Sequence, residues 1–445
     1  MKVAFYTLGC KVNQYETDLM MANFKESGYE IVEFGTNKRK DIADIYVINS
    51  CSVTNLAARK TRNYLSRAKK YNPNSIVILV GCYSQEVDSE ILNLEKKIVD
   101  IILGNEEKKD IVKSLEEYLD KNNIQAKKLD MSKTYKVSNI SLVKKYSNLD
   151  VLKSGNEIRE SIKIEDGCNN FCTYCIIPYL RGRVRSKTIS QIVEEANNLV
   201  NSGVKELVIV GIEIASYGLD LDNGTSLITI LEELNKINGL ERIRLGSIEP
   251  RWLTDENIER LAKLEKICNH FHISIQSMDD NVLARMNRKY NVKFVKSRID
   301  TIRKNFKNVA FTTDIIVGFP GETDEEFNNT FNNLKQLQFK EIHVFKYSKR
   351  KYTKAATMQN QVEGTIATKR SDMLLNLSKD LNNSYINNLI GNKLEVLFES
   401  FNEGFVEGYT SNYIKVKVKG DKELCGKIQE VELISLEKDI LVGKI

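Results

Sequence analysis

Between residues 158 and 347 the chain repeats a strand-like run followed by an amphipathic run about six times, and that alternation leaves few folds open. The strand-like runs are 161–165, 205–210, 242–247, 270–276, 311–317 and 341–347; helical spacing fills stretches such as 190–200, 226–237 and 323–337. Consecutive βα units wind into a parallel sheet, and about six of them fall short of a closed eightfold barrel. The expected core is an incomplete (βα)6 barrel. Its interior is not expected to be filled with aliphatic side chains. His270, His272, Ser274 and Gln276 share one face of their strand, while Phe271, Ile273 and Ile275 share the other. Arg242 and Arg244 alternate with Ile243 and Leu245 in the same way. Inward polar rows suit an open barrel around a charged ligand; the plainer alternative is a solvent-facing edge strand.

Directly after the first of these strands stands Asp166-Gly-Cys-Asn-Asn-Phe-Cys-Thr-Tyr-Cys175, with three thiols, Cys168, Cys172 and Cys175, at C-x-x-x-C-x-x-C spacing. A structural zinc site takes four ligands, and the nearest histidine, His270, lies far along the chain. A cubane iron–sulfur cluster on three thiolates leaves one iron open, which suits the spacing better. Thiols clustered in a loop by chance are the bland reading. A second trio is spread over residues 1–115, which read as alternating strands and helices. Strands at 3–8, 44–48 and 75–80 each end in a cysteine, as Leu8-Gly-Cys10, Asn49-Ser-Cys51 and Val80-Gly-Cys82. Helical spacing occupies 13–28, and a polar, basic helix is expected near 55–71. Ligands gather beyond the carboxyl ends of strands in an open parallel sheet, so one thiol per strand end can converge in space. Buried free cysteines would leave the same trace. Gly9 and Gly81 favour a site, because they permit tight strand-to-loop turns. Cys268 and Cys425, each alone in apolar surroundings, are expected to be packing residues.

At 445 residues the chain is long enough for two to four domains. It has no apolar run of membrane length and no cleavable signal pattern at Met1-Lys-Val-Ala-Phe, so a cytoplasmic protein without membrane contact is expected. In that compartment its eight cysteines serve metals or catalysis more readily than disulfides. The net charge of +6 is unevenly placed: residues 121–153 alone hold eight lysines against Asp130 and Asp150. Such a run invites a polyanion, and a solvated linker explains it as well. From 387 onward short strands at 393–399, 403–410, 413–418 and 427–434, punctuated by Gly404, Gly408, Gly420 and Gly426, predict a small antiparallel barrel. This part holds eight lysines against ten acidic residues, yet Lys415, Lys417 and Lys419 line one strand face, toward phosphates or simply solvent. The expected organisation is 1–115, a lysine-rich linker at 116–153, a core at 154–386 and a terminal barrel at 387–445.

The words around these cysteines carry a resemblance. The spacing of Cys168, Cys172 and Cys175 resembles that of the radical S-adenosylmethionine (SAM) enzymes, where SAM binds the open iron. Leu8-Gly-Cys-Lys-Val-Asn-Gln-Tyr-Glu16, Ser50-Cys-Ser-Val-Thr-Asn55, Gly81-Cys-Tyr-Ser-Gln85 and Leu103-Gly-Asn-Glu106 look like the N-terminal domain of the methylthiotransferase family. Residues 387–445 resemble its TRAM domain, a small RNA-binding module. The resemblance covers nearly the whole chain, with the domains in order. It implies a flavodoxin-like N-terminal domain, a partial radical SAM barrel and a TRAM barrel, an α/β protein throughout its first two parts. It also implies two [4Fe–4S] clusters, one on Cys168, Cys172 and Cys175 and an auxiliary one on Cys10, Cys51 and Cys82. By that resemblance one electron splits SAM into methionine and a 5′-deoxyadenosyl radical, which takes hydrogen from an unactivated carbon. The auxiliary cluster presents sulfur, a second SAM methylates it, and the methylthio group passes to the substrate. Implied SAM contacts are Glu213 of Val210-Gly-Ile-Glu213, accepting from the ammonium, with Ser247 and Glu249 of Gly246-Ser-Ile-Glu-Pro250 and Gly318 of Val317-Gly-Phe-Pro-Gly-Glu322. Arg181-Gly-Arg-Val-Arg-Ser-Lys187 places four cations after the cluster loop, to offset cluster or phosphate charge or to pair with barrel helices.

Finer words point to a branch. Gly9-Cys-Lys-Val-Asn-Gln-Tyr-Glu16, Asp166-Gly-Cys-Asn-Asn-Phe-Cys172, Arg244-Leu-Gly-Ser-Ile-Glu-Pro250 and His343-Val-Phe-Lys-Tyr-Ser348 resemble enzymes acting on threonylcarbamoyladenosine beside the tRNA anticodon. The alternatives are the isopentenyladenosine branch, a branch that modifies a ribosomal-protein aspartate, and a non-catalytic iron–sulfur RNA-binding protein. Implied partners are the tRNA anticodon stem-loop and a protein reductant, with the chain acting as a monomer. Three places depart from the family pattern. Met278-Asp279 stand where Gly-Cys is expected, Glu213 where a histidine is usual, and Lys346, Lys351-Tyr-Thr353 and Lys354 where prolines are expected.

Overall fold

Runs of consecutive apolar residues, Ile45-Tyr-Val-Ile48 and Ile76-Val-Ile-Leu-Val80, are buried along their whole length, as strands covered on both faces must be. In the computed structural model, which describes residues 1–35, 42–86, 98–122, 134–147, 157–438 and 440–445, they form the middle of a parallel six-stranded sheet. Its strands are β1 (Lys2–Thr7), β2 (Glu30–Val32), β3 (Ile45–Ser50), β4 (Ile76–Gly81), β5 (Ile101–Leu103) and β6 (Thr134–Lys136), in the order β2-β1-β3-β4-β5-β6. Helices α1 (Lys11–Glu26), α2 (Asn55–Tyr71), α3 (Cys82–Glu86) and α4 (Ile111–Asn122) connect and cover it. Val3, Val47, Ile78 and Ile101 pack with Met20, Phe24 and Leu115 on one face, while Tyr46, Ile48, Val77 and Leu79 pack with Leu65 and Ala68 on the other. The first five strands have the flavodoxin-like order, whose ligand crevice opens where the order reverses, between β1 and β3.

Here the expected linker needs correcting. Helix α4 runs past residue 115, and β6 comes from inside 116–153 to add the edge strand beside β5. A three-residue strand, Thr134-Tyr-Lys136, is too short to display a period, so the lysine-rich composition concealed it. Further on, Ile140 is buried and Tyr146 lies over Lys163 and Lys187, so this stretch packs along the junction between sheet and barrel. The remainder of the expected linker, 123–133 and 148–153, lies outside the described residues.

The six βα units form two arcs of parallel strands. The first joins β7 (Arg159–Lys163), β10 (Glu206–Val210) and β11 (Arg242–Leu245), after a small ribbon of β8 (Glu165–Asp166) with β9 (Arg185–Ser186). The second joins β12 (Ser247–Ile248), β13 (His270–Gln276), β14 (Ala310–Val317) and β15 (Glu341–Lys346). The run expected as one strand at 242–247 thus breaks at Gly246, whose added Cβ would stand 2.6 Å from the carbonyl oxygen of Ile209. Helices α5 (Ile177–Arg181), α6 (Ile189–Asn201), α7 (Leu227–Asn235), α8 (Asp255–Ala262), α9 (Asp280–Arg285), α10 (Val292–Asn305) and α11 (Asp324–Leu337) follow in order. Phe271, Ile273 and Ile275 face outward into one continuous core with Leu231, Ile258, Ile299 and Leu334, and the polar row His270, His272 and Ser274 faces inward, as the alternation predicts. Helix α12 (Gly364–Asn387) covers the open edge at β15, where Ser378 accepts from the Ile342 amide at 2.8 Å.

The terminal barrel closes through β16 (Lys393–Asn402), β17 (Phe405–Thr410), β18 (Lys415–Lys419), β19 (Ile428–Glu437) and β20 (Ile440–Lys444). The final strand, absent from the sequence reading, completes the ring beside β18 and β19. This barrel plugs the N-terminal end of the larger one. Arg242 donates to the carbonyls of Tyr409 and Glu395, and Arg244 to those of Thr410 and Ser411 while pairing with Glu206 at 2.6 Å. Tyr413 stacks near His270 and beneath the Arg159 and Arg244 guanidinium groups. The inward arginines therefore bind protein, correcting the expectation that they face a charged ligand. The lysine row is also engaged: Lys415 pairs with Glu407 and Lys417 with Glu437. Among the described residues no helix is long and apolar enough to cross a membrane.

Candidate functional site

The loop from Asp166 to Cys175 is shaped by its backbone before any ligand is considered. Gly167 has φ +83°, and a Cβ there would fall 1.9 Å from the carbonyl oxygen of Arg183. Only glycine fits such a position. The Asp166 carboxylate accepts from the Gly167 amide at 2.8 Å, the Cys168 amide donates to the carbonyl of Gly182 and that of Cys175 to the carbonyl of Cys172. Replacing Gly167 by alanine is expected to displace the loop and lower the iron content of purified protein, and an iron assay beside a circular dichroism spectrum checks this.

Two thiols of the loop already receive donors suited to sulfur. The Asn170 amide points at Cys168 Sγ from 3.5 Å, and Arg288 Nη1 at Cys172 Sγ from 3.3 Å. Burial raises the Cys168 thiol and pushes Cys175 up to about 12, with neighbouring thiols adding to the effect. A metal cation that binds such thiols displaces their protons to solvent, so the thiolate forms on binding despite the raised pKa.

The second trio meets at the sheet's switch point. Cys10 N-caps α1 after β1, Cys51 follows β3, and Cys82 opens α3 after β4. A Cβ on Gly9 would stand 2.9 Å from Cys51 Cβ and 3.2 Å from its Sγ. Burial lifts Cys51 to about 12, with Cys82 and Cys10 pushing the same way. Cys10 is exposed, whereas Cys51 and Cys82 are buried. Cys82 packs against Ile176 and Leu180, immediately beyond Cys175, so the two trios adjoin across one interface.

A buried charge network pins that interface. Arg181, fully enclosed, donates to Glu16 at 2.7 and 3.1 Å, to Asp166 at 3.0 Å and to Asn13 at 2.6 Å. Lys163 bridges Glu16 and Asp166, and Lys108 reaches Glu16 at 2.5 Å. Burial opposes the charge on Glu16, yet Arg181, Lys108 and Lys163 hold its carboxyl well below the ordinary range. Burial, followed by Arg181, brings Lys108 down to about 8. Of the four cations after the loop, Arg181 and Arg185 thus turn to Asp166, Lys187 to Glu195, and Arg183 to the Phe171 ring.

A polar cluster flanks the loop on its barrel side. Glu213 approaches Asn170 at 3.5 Å, and Glu249 pairs with Arg251, which also donates to Asn170. Burial, then Glu249, pushes Glu213 up to about 7. Among the described residues, buried oxygens of Glu213 and Glu165 have no hydrogen-bond partner, and an ammonium is the kind of donor they lack. Ser247 lies exposed two residues before Glu249. Gly318 is placed differently. Its added Cβ would meet Ala367 of α12 at 2.7 Å, and its amide donates to Glu322, so this glycine serves helix packing. Asp279 likewise has a structural duty, capping α9 through the amides of Asn281 and Val282, while Met278 is buried in the core. The segment that lacks the expected prolines is fixed by polar contacts instead. Ser348 accepts from Asn55, Arg350 holds Asn55 and Glu86, and the Ala355 amide donates to Thr173. Cys268 is buried and Cys425 half-buried against the terminal barrel's core. Sequence reasoning missed Arg288, Asn170 and Glu165, and also Glu16, although it lies within the motif around Cys10.

Residues 162–334 match the Radical SAM superfamily, and residues 2–104 match a group described as Uncharacterized protein family UPF0004. The chain is 40% identical over 438 residues to the threonylcarbamoyladenosine tRNA methylthiotransferase MtaB of Bacillus subtilis (strain 168), covering 97% of this chain and 93% of the relative. It is 35% identical to the Thermotoga maritima protein of the same name, over 86% and 83% of the two chains. It is 32% identical to a tRNA-2-methylthio-N(6)-dimethylallyladenosine synthase of Alkaliphilus oremlandii, over 100% and 92%. Among solved structures, the radical S-adenosylmethionine methyltransferase TsrM from Kitasatospora setae superposes with a TM-score of 0.55 at 12% identity, over 80% of this chain and 75% of that one, a likeness of fold.

Proposed function

The chain belongs to the radical SAM methylthiotransferases that modify tRNA, and we propose that it places a methylthio group on C2 of N6-threonylcarbamoyladenosine at position 37. The observation that carries this reading is the packing of Cys82 against Ile176 and Leu180, directly after Cys175, across an interface held by Arg181. The residues present fit the groups the family uses. Cys168, Cys172 and Cys175 would hold the cluster that binds SAM, and Cys10, Cys51 and Cys82 the auxiliary one. When bound, the two [4Fe–4S] clusters and SAM supply the one-electron chemistry and the sulfur for substitution at an unactivated carbon. Glu213 and Glu249 would receive the SAM ammonium, and Ser247, two residues before Glu249, opens the second arc.

The protein's own residues set the approach of the tRNA. The Tyr409–Tyr413 plug and the inward arginines seal the N-terminal end of the barrel, which leaves the target base to enter from the cysteine side. Helix α2 begins four residues after Cys51 and exposes Arg59, Lys60, Arg62, Arg67 and Lys70 without an acidic residue in its length. Such a face suits the phosphates of an anticodon stem-loop better than the paired lysines of the terminal barrel. We further propose that a monomer acts in the cytoplasm and takes electrons from a protein reductant; all eight cysteines are free, as a reducing compartment requires.

Mass spectrometry of tRNA nucleosides from a strain lacking the gene tests the substrate. The methylthio form of threonylcarbamoyladenosine is expected to disappear while the methylthio form of isopentenyladenosine persists. The reverse pattern would move the chain to the sister branch.

A further inference from the structure

Low inside the barrel, on three neighbouring strands, stand His272 of β13, Asp314 of β14 and His343 of β15. One ligand atom from each lies within 4.8 Å of the others. His272 Nε2 is 3.1 Å from Asp314 Oδ2, and His343 Nδ1 is 3.3 Å from Asp314 Oδ1. None of the three touches the cysteine trios or the Glu213 cluster in the contacts described above, so they form a separate constellation.

The outer partners are those a metal site needs. His272 engages Thr312 Oγ1 through Nδ1 at 2.8 Å, which leaves Nε2 for the centre of the group. The same hydroxyl meets His270 Nε2 at 3.1 Å and so is held in place from below. His343 turns its Nε2 to Glu341 at 3.3 Å and keeps Nδ1 inward. Both imidazoles are thus oriented by an outer oxygen, the arrangement that fixes tautomer and ring plane around bound metals.

We propose that His272, Asp314 and His343 bind a divalent transition-metal ion inside the barrel, through His272 Nε2, an Asp314 oxygen and His343 Nδ1. Two imidazoles and one carboxylate on one side of an ion select zinc, iron(II) or manganese over magnesium or calcium, which prefer all-oxygen sites. Three protein ligands leave positions open toward the interior, where a carboxylate or hydroxyl oxygen completes the sphere. The site goes beyond the methylthio-transfer reading and stands whichever base the enzyme modifies.

The test uses the full chain with both clusters assembled anaerobically, so that the six cysteines are occupied. The protein is mixed with an equimolar amount of zinc, then desalted and counted for zinc and iron by mass spectrometry. The expected result is about one retained zinc per chain. His343→Gln and Asp314→Asn should lose at least about tenfold in zinc retention, as the loss of one ligand from a three-ligand site implies, with iron unchanged as the record of an intact fold. The His343 side chain is 44% exposed and lies outside the aliphatic core, so its replacement leaves that core undisturbed. Zinc that fails to stay on the wild-type chain overturns the proposal. So does equal retention by wild type and His343→Gln.

Discussion

Replacing Cys168 by alanine should abolish the reductive cleavage of SAM and lower the iron of the reconstituted protein from roughly eight to roughly four atoms per chain. Two thiolates cannot keep a cubane whose remaining ligand is an exchangeable small molecule, and Asn170, whose amide points at Cys168 Sγ, offers a donor to sulfur rather than a ligand to iron. The matched variant, Cys51→Ala, separates the two trios. It should lose a similar amount of iron yet still form 5′-deoxyadenosine, because Cys51 lies on the sheet side of the interface with Cys10 and Cys82. Production of deoxyadenosine by Cys168→Ala, or its loss in both variants alike, contradicts the division of labour.

The second large effect is expected at Glu16, in the buried network that pins the interface between the two trios. Glu16→Gln keeps the side chain's shape and leaves Arg181, Lys163 and Lys108 facing Asp166 alone, all of them buried. Breaking a buried ionic cluster from one side typically costs about 3–5 kcal/mol, far more than a surface pair is worth. Denaturant unfolding of the cluster-loaded protein measures it. The double variant Glu16→Gln with Arg181→Met should be less destabilised than the two single effects combined, since it removes a surplus cation together with its partner. The sign with pH follows from the lowered Glu16 carboxyl. Its contribution is present in full above the ordinary carboxylate pKa and fades only as pH falls through the depressed one. Wild type and Glu16→Gln should therefore differ at neutral pH and at about pH 5, and converge in stronger acid. Equal stabilities at neutral pH would remove the network from its structural role.

The architecture was legible wherever period and spacing are long enough to repeat. The βα alternation located β10, β13, β14 and β15 to within a residue or two, and the glycine–cysteine strand ends anticipated the meeting of Cys10, Cys51 and Cys82. Short or composite elements escaped: β6 is three residues long, and the break at Gly246 falls inside one β-rich run. Contacts between distant segments escaped for another reason. That Arg242 and Arg244 grip Tyr409 to Ser411 depends on how two barrels dock, which no local pattern encodes. At Gly318 a packed helix by itself demands the small residue, a contact that no strand-end pattern shows. The departure at Asp279 has a plain account as a helix cap, and the lost prolines are offset by the grip of Arg350 on Asn55 and Glu86.

The buried network also bears on how the chain is made. Glu16 and Lys108 leave the ribosome well before Lys163, Asp166 and Arg181, so the first sheet is synthesised with part of an ionic cluster and without the rest. Until the barrel's first strand and cluster loop emerge, a carboxylate and an ammonium meant for the interior must stay hydrated at an open face. The N-terminal sheet can therefore complete this face only once the barrel docks against it.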